Sequence, residues 1–155
     1  MTAWDIFETE HWRVSHRRDA RYSGYLMVGA IAPATDFTQL EQPALASMGD
    51  VLRRAEQLLM QAFEPCKVIV YKLGFSPGFN LHFHVVAVTR PLLLEITDHP
   101  GYANEPDGND AILFLSREYC ERPLSHAEQE SQHRTVARLR VLAGVASGEP
   151  AGNHG

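Results

Sequence analysis

Two histidines placed two residues apart are the best candidates for chemistry in this sequence. They lie in the run Asn80-Leu81-His82-Phe83-His84-Val85-Val86-Ala87-Val88, which alternates between polar and apolar residues at its start. Successive side chains of a strand point to opposite faces, so His82, His84 and Asn80 share one face. The two histidines would lie about 7 Å apart at Cα, which lets both imidazoles reach one small ligand.

A loop rich in glycine and proline precedes this strand. The segment Gly74-Phe75-Ser76-Pro77-Gly78 follows another apolar run, Val68-Ile69-Val70-Tyr71. The two apolar runs therefore predict a hairpin with a wide turn. Glycine lets a backbone approach a ligand closely, and successive N–H groups in such a loop can bind an anion. A pair of imidazoles beside this loop would suit a phosphate group.

The histidine run resembles the motif of the histidine triad (HIT) family, in which three histidines alternate with apolar residues. Asn80 stands at the position of the first histidine. The segment Gly24-Tyr25-Leu26-Met27-Val28 resembles the first core strand of the family, with Tyr25 in place of its usual histidine. A long helix, a strand, the glycine loop and the histidine strand follow in the family's order, so the resemblance covers roughly residues 10–90.

The resemblance implies a role for each matched position of the motif. His82 is expected to be the nucleophile, which takes up a nucleoside monophosphate as a covalent phosphoramidate that water then hydrolyses. His84 is expected to contact phosphate oxygens, to help protonate the leaving group and, as a cation, to stabilise developing charge. Asn80 is expected to alter rate or substrate choice without abolishing the attack, because a backbone carbonyl can orient the nucleophilic ring.

Four further residues are expected to complete a nucleotide site on the strength of the same resemblance. Tyr25 would hydrogen-bond a phosphate or stack on a base. Ser76 and Gly78 would offer a hydroxyl and backbone N–H groups to the α-phosphate. Asp19, which lies before the first core strand, would hold the ribose hydroxyls.

Other interpretations of these residues stay open at this point. His82 could be a half-exposed strand histidine, His84 a hydrogen-bonded structural one, and Asp19 a turn residue among arginines. Two histidines at this spacing also occur in metal sites. However, no convincing third ligand lies close in the sequence, and the cysteine clusters that zinc prefers are missing from it. We therefore expect neither a metal nor a cofactor.

The composition is that of an ordinary globular protein. The chain has 155 residues, 45% hydrophobic and 21% charged, which suits one domain with a single sizeable core. A net charge of −5 argues against a broad surface for nucleic acid or anionic membranes. Cys66 and Cys120 have no CxxC spacing, and neither a signal peptide nor a membrane span is predicted, so we expect a cytoplasmic protein.

The hydrophobic pattern predicts an α+β domain over residues 1–147, followed by a disordered tail at 148–155. Its core would be an antiparallel sheet of about five strands with packed helices. Residues 1–10 are expected to form an arm or short helix, and Arg90–Pro91 to end the histidine strand. The other predicted elements are strands at 11–16, 22–31 and from Lys67, and helices at 43–63, 107–119 and from Ser125 towards Val145.

The resemblance implies hydrolysis or nucleotidyl transfer on a nucleoside phosphoramidate or a dinucleoside polyphosphate, through a nucleotidyl-His82 intermediate. It also implies a homodimer whose sheets join. The extra C-terminal helix lies outside the part that resembles the family, and we expect it to cap the partner or frame the pocket. The alternative is a purine-nucleotide-binding module of the same fold with weak or lost catalysis, which the changes at Asn80 and Tyr25 keep open. No nucleic-acid or membrane partner is expected.

Overall fold

The computed structural model describes residues 1–102 and 105–145. The expected disordered tail at 148–155 and the last two residues of the expected domain lie outside this part of the chain. The elements are β1 (Asp5–Glu8), β2 (Trp12–His16), β3 (Tyr25–Ala30), a short 3-10 helix (Phe37–Gln39), α1 (Gln42–Phe63), β4 (Lys67–Tyr71), β5 (His82–Val88), α2 (Arg90–Asp98), α3 (Gly108–Phe114), a π-helical segment (Leu115–Tyr119) and α4 (His126–Leu142).

The strands form one sheet in the order β1-β2-β3-β5-β4, and every neighbouring pair is antiparallel. The predicted five-stranded antiparallel sheet with packed helices is therefore confirmed. The predicted hairpin is also present, since β4 pairs directly with β5. Gly74 and Gly78 in its loop adopt positive φ angles of 55° and 89°, a conformation that favours glycine.

One face of the sheet is fully covered by α1 and α4. The apolar stripe of α1 buries Ala55 and Leu59, and α4 adds Val136 and Leu139 to the same core. The buried indole of Trp12 donates its Nε1–H to the Ala44 carbonyl at 3.0 Å, which ties β2 to the first turn of α1. This face supplies the main hydrophobic core.

The opposite face is covered only where α2 and α3 cross it. Val86 and Val88 at the end of β5 pack there in a second apolar cluster with Leu92, Ile96 and Phe114. The sequence analysis ended the strand at Arg90–Pro91 but missed the helix that begins there. Proline is tolerated in a first helical turn, and the Thr89 hydroxyl caps the helix by accepting the Leu92 N–H at 3.4 Å.

The expectation of an arm or short helix at residues 1–10 is wrong for its central part. Asp5–Glu8 forms the edge strand β1, in which Phe7 lies opposite Val14 of β2. Pairing with β2 and burial of Ile6 and Phe7 decide the conformation of so short a segment. Capping boxes mark the starts of both later helices, since Asp107 caps α3 and Ser125 caps α4.

Candidate active site

The uncovered half of the second sheet face forms a cleft of about 670 Å³. His82 and His84 of β5 lie in it, as the alternation predicted. The register places Gly29 of β3 opposite His82 and Met27 opposite His84. Because glycine has no side chain, the space beside His82 stays open. The other lining residues come from β2 and the loops: Arg13, Ser15, His16, Arg17, Arg18, Asp19, Ala30, Ile31, Leu73, Gly74, Phe75, Ser76, Phe79 and Asn80.

The ring of His82 is oriented by the backbone of Asn80. Its Nδ1 lies 2.8 Å from the Asn80 carbonyl oxygen. A carbonyl can only accept a hydrogen bond, so Nδ1 carries a proton, and a neutral ring held in this way has its lone pair on Nε2. The side chain is half-buried and lines the cleft. The ring is thus oriented within the cleft through the backbone carbonyl of Asn80.

The Asn80 side chain has a separate, local task. Its Nδ2 donates to the Ala30 carbonyl at 3.0 Å and to the Ile31 carbonyl at 3.3 Å. These bonds fasten the end of the glycine loop to the end of β3. The same residue therefore orients His82 through its carbonyl and fixes that carbonyl through its amide.

His84 is far less accessible than His82, with 7% of its surface exposed. Its Nδ1 lies 2.7 Å from the Tyr25 hydroxyl, and its ring stacks on Tyr71 at a centroid distance of 4.6 Å. Burial, aided by the charges of Arg17 and His82, lowers the pKa of His84 to about 4. The ring is therefore neutral at pH 7, and the expectation that it acts as a cation is wrong for the resting site.

Tyr25 lies beneath His84 and does not line the cleft. Only 2% of its surface is exposed, so the expected contact with a phosphate or base is not available to it. Its hydroxyl instead contacts Arg17 Nη1 at 2.8 Å, His84 Nδ1, and the Tyr71 hydroxyl in a very short contact. Tyr25 thus contacts the cleft residue His84, because β3 lies next to β5 and both side chains lie on the same face of the sheet.

Of the other three residues expected to contact a nucleotide, two line the cleft and one does not. Ser76 lines the cleft, whereas Gly78 lies in the same exposed loop but outside the lining. Asp19 also lines the cleft, yet its carboxylate already accepts the Arg17 Nε–H at 2.6 Å. A ribose bound there would share this carboxylate with a guanidinium.

Three arginines on the cleft wall are the main residues that the sequence analysis missed. Arg17 is held by Asp19, and Arg13 is paired with Glu8 at 2.6 Å. Arg18 is exposed, and no acidic side chain in the described part of the chain pairs with it. The dipeptide Arg17-Arg18 is visible in the sequence, but only the pairing of β2 with β3 brings it to the histidines. Positive charge here suits an anionic ligand.

His16 also borders the cleft and serves the structure. It is 1% exposed; its Nδ1–H donates to the Arg17 carbonyl at 2.9 Å, and its Nε2 accepts the Gly24 N–H at 3.2 Å. Burial lowers the pKa of His16 to about 4, so the ring is neutral. With both nitrogens occupied, it fixes the turn between β2 and β3.

Two further points concern the place of the C-terminal helix and the side chains that could bind a metal ion. The expected role of the C-terminal helix in framing the pocket is wrong, because α4 packs on β1 and α1 and contributes no lining residue. Across residues 1–102 and 105–145, no three side chains of His, Cys, Asp or Glu converge in a way that could hold a metal ion. Within the same residues, every helix is too short or too polar to cross a membrane.

Comparison with known proteins gives structural matches only. The sequence matches no family model, and no curated protein is significantly similar to it. A hypothetical histidine triad nucleotide-binding protein from Sulfolobus tokodaii superposes with a TM-score of 0.59 at 12% identity, over 90% of this chain and 84% of the other. A histidine triad protein from Bradyrhizobium japonicum gives a TM-score of 0.56 at 20% identity, over 86% and 87%.

A third structure, a histidine triad protein from Sinorhizobium meliloti, gives a TM-score of 0.57 at 16% identity, over 87% of each chain. The TM-scores show a common fold, whereas sequence identities this low leave substrate and mechanism open. The resemblance inferred from the histidine run is thereby confirmed at the level of the fold. The chain has the histidine triad fold.

Proposed function

We propose that this protein hydrolyses or transfers a nucleotidyl group, with a nucleoside phosphoramidate or a dinucleoside polyphosphate as substrate. The observation that carries the proposal is the orientation of His82. Its Nδ1–H is engaged by the Asn80 carbonyl at 2.8 Å, in a cleft large enough for a nucleotide. A neutral imidazole held in this tautomer has its free lone pair on the other ring nitrogen.

The proposed reaction has two displacements at one phosphorus. In the first, the Nε2 lone pair of His82 attacks the α-phosphorus, a P–N bond forms, and the leaving group departs with the electrons of its bond. In the second, water attacks the same phosphorus and the electrons of the P–N bond return to Nε2. Dividing one difficult substitution in this way is the benefit of a covalent intermediate. Charge that develops on Nδ1–H is stabilised by the Asn80 carbonyl.

The arginines and the glycine loop support a phosphate at this place. Arg18 is exposed at the cleft wall, and Arg13 and Arg17 add positive charge beside it. Ser76 lies on the loop side of the same cleft, where its hydroxyl can donate to a phosphate oxygen. Since His84 is neutral, these guanidinium groups supply the positive charge for the phosphate.

A second candidate function is a nucleotide-binding module with weak or lost catalysis. The observation that favours it is the buried phenol of Tyr25, which stands where the family is expected to have a histidine. Neutral His84 above it is a weaker acid catalyst than an imidazolium. Such a protein would use the same cleft and bind a purine nucleotide without turnover.

The proposal extends to a homodimer and to a reducing compartment. Strand β4 lies at the edge of the sheet, and nearby Val70 and Leu73 are 40% and 60% exposed. A second copy that pairs along this edge would cover them.

Cys66 and Cys120 are both free thiols, which is the usual state of cysteines in the cytoplasm. No feature of the cleft calls for nucleic acid as a ligand.

Incubation of the purified protein with adenosine phosphoramidate and with diadenosine polyphosphates tests the enzyme directly. We expect release of AMP from at least one of them, and a loss of on the order of 10³-fold or more in His82→Asn. Asparagine keeps a polar side chain of smaller volume, so AMP binding should survive this change. Turnover that persists in His82→Asn would refute the nucleophile, and tight AMP binding without turnover in the wild type would favour the binding module.

A further inference from the structure

Polar side chains next to the cleft form a hydrogen-bonded cluster around His84. The Tyr25 hydroxyl meets three polar groups at once, which are Arg17 Nη1, His84 Nδ1 and the Tyr71 hydroxyl. Arg17 is itself fixed, because its Nε and Nη2 bind both carboxylate oxygens of Asp19. The histidine triad motif does not account for this cluster, since Arg17 and Tyr71 lie outside it.

The protons in this cluster can be assigned one by one. A guanidinium can only donate, so Arg17 takes one acceptor position on the Tyr25 oxygen. Burial raises the pKa of both Tyr25 and Tyr71, so each phenol keeps its proton. Tyr25 has one proton to give, and it can go either to His84 Nδ1 or to the Tyr71 oxygen.

The position of Tyr71 decides between these two arrangements. If Tyr25 donated to Tyr71, the proton of Tyr71 would have no acceptor among the described residues, because its hydroxyl contacts only Tyr25 there. If Tyr71 donates to Tyr25, then Tyr25 donates to His84 Nδ1 and every proton has a partner. The second arrangement satisfies every proton of the cluster within the protein and places a donor on the buried Tyr25–His84 contact, so it is favoured.

We infer that Tyr25, held by Arg17 and Tyr71, is a positioning residue that fixes His84 as the neutral tautomer with its proton on Nε2, ready to donate to a phosphoryl oxygen. Nε2 has no hydrogen-bond partner among the described residues and is not fully buried, so its N–H is left for a ligand in the cleft. The inference rests on the proposed function for the identity of that ligand. In this arrangement Tyr25 and Arg17 determine the tautomer of the His84 imidazole.

The tautomer of His84 can be measured in the wild-type protein without any ligand. Long-range ¹H–¹⁵N correlation spectra at pH 7 distinguish a protonated from an unprotonated ring nitrogen, and the His84 signals are identified by their loss in His84→Gln. We expect a protonated Nε2 and an unprotonated Nδ1. A proton on Nδ1, or an imidazolium, would overturn the inference whatever the protein turns over.

Three single hydroxyl deletions then test the role of Tyr25. Tyr25→Phe should convert His84 to a mixture of both tautomers, whereas Tyr71→Phe should leave Nε2–H dominant because Tyr25 can still donate. Tyr22→Phe is the matched control, since the Tyr22 hydroxyl bonds the Ala87 carbonyl and not His84. An unchanged His84 tautomer in Tyr25→Phe would show that Tyr25 does not position the ring.

Binding of AMP, measured by calorimetry, links the tautomer to the ligand. Loss of one well-placed donor should weaken AMP binding about threefold to tenfold in Tyr25→Phe and leave it unchanged in Tyr22→Phe. Equal AMP affinity in Tyr25→Phe and the wild type, with a changed tautomer, would refute the donor role of Nε2–H. Failure of the wild type itself to bind AMP would instead refute the proposed nucleotide ligand, and the NMR result would stand apart from it.

Discussion

The two halves of the second sheet face differ although one strand runs through both. At the start of β5, His82 and His84 border an open cleft beside Gly29. At its end, Val86 and Val88, on the same face, are 0% and 3% exposed beneath α2 and α3. The covered half is apolar and holds the fold together, while the open half presents polar groups to the cleft.

His84 lies at the boundary between these halves and has properties of both. Like the valines it is buried, and like His82 it lines the cleft. Its position explains why burial lowers its pKa to about 4 while its ring still reaches the ligand space. Two histidines of the same strand face therefore differ in burial because the elements packed around them differ.

The largest effect on stability is expected from the covered half. Leu92→Ala removes a side chain that is 1% exposed in the second apolar cluster, and should reduce the free energy of unfolding by about 2–5 kcal/mol. Chemical denaturation measures this change. Met27→Ala, a half-buried residue of the open half, is the control and should cost clearly less. An equal loss in the two variants would show that the halves do not differ as described.

Lowering the pH should reduce the free energy of unfolding through the buried histidines. The pKa of buried His16 is about 4 in the folded protein and about 6.5 when unfolded, so the unfolded chain binds the extra proton first as pH falls. The stability from His16 is therefore complete above pH 6.5 and is lost towards pH 4, by up to about 3 kcal/mol. His84 should act in the same direction with a smaller effect.

Denaturation series at several pH values test this dependence. The window between about pH 6.5 and 4.5 isolates the histidines, because ordinary carboxylates titrate below it. The pKa of Glu128, which Arg122 lowers to about 2, affects stability only in stronger acid. A constant free energy of unfolding across this window would contradict neutral burial of His16.

The smallest effect is expected at Asn80. Asn80→Ala keeps the backbone carbonyl that orients His82 and loses the amide bonds to the Ala30 and Ile31 carbonyls. We expect turnover to fall by about tenfold or less, since each such bond contributes on the order of 1 kcal/mol. Steady-state kinetics beside His82→Asn provides the scale. A loss as large as that of His82→Asn would show that the side chain, and not the carbonyl, controls the nucleophile.

The local patterns of the sequence were enough for the sheet and the first residues of the site. Alternation with a period of two placed His82 and His84 on one face, and the helices predicted at 107–119 and from Ser125 begin close to the observed starts of α3 and α4. The short strand β1 and helix α2 were missed, because segments of four and nine residues depend on their neighbours in space. The arginines on the cleft wall needed the β2–β3 pairing.

The sequence by itself determined most of the strands and helices and which histidines share a face, because these properties depend on near neighbours in the chain. Only the tertiary structure decided which half of that face is open and which tautomer His84 adopts. Those outcomes rest on contacts between distant residues, such as Tyr25 and His84, which are 59 positions apart. Burial and hydrogen bonding at such contacts set protonation and access, and no short-range pattern records them.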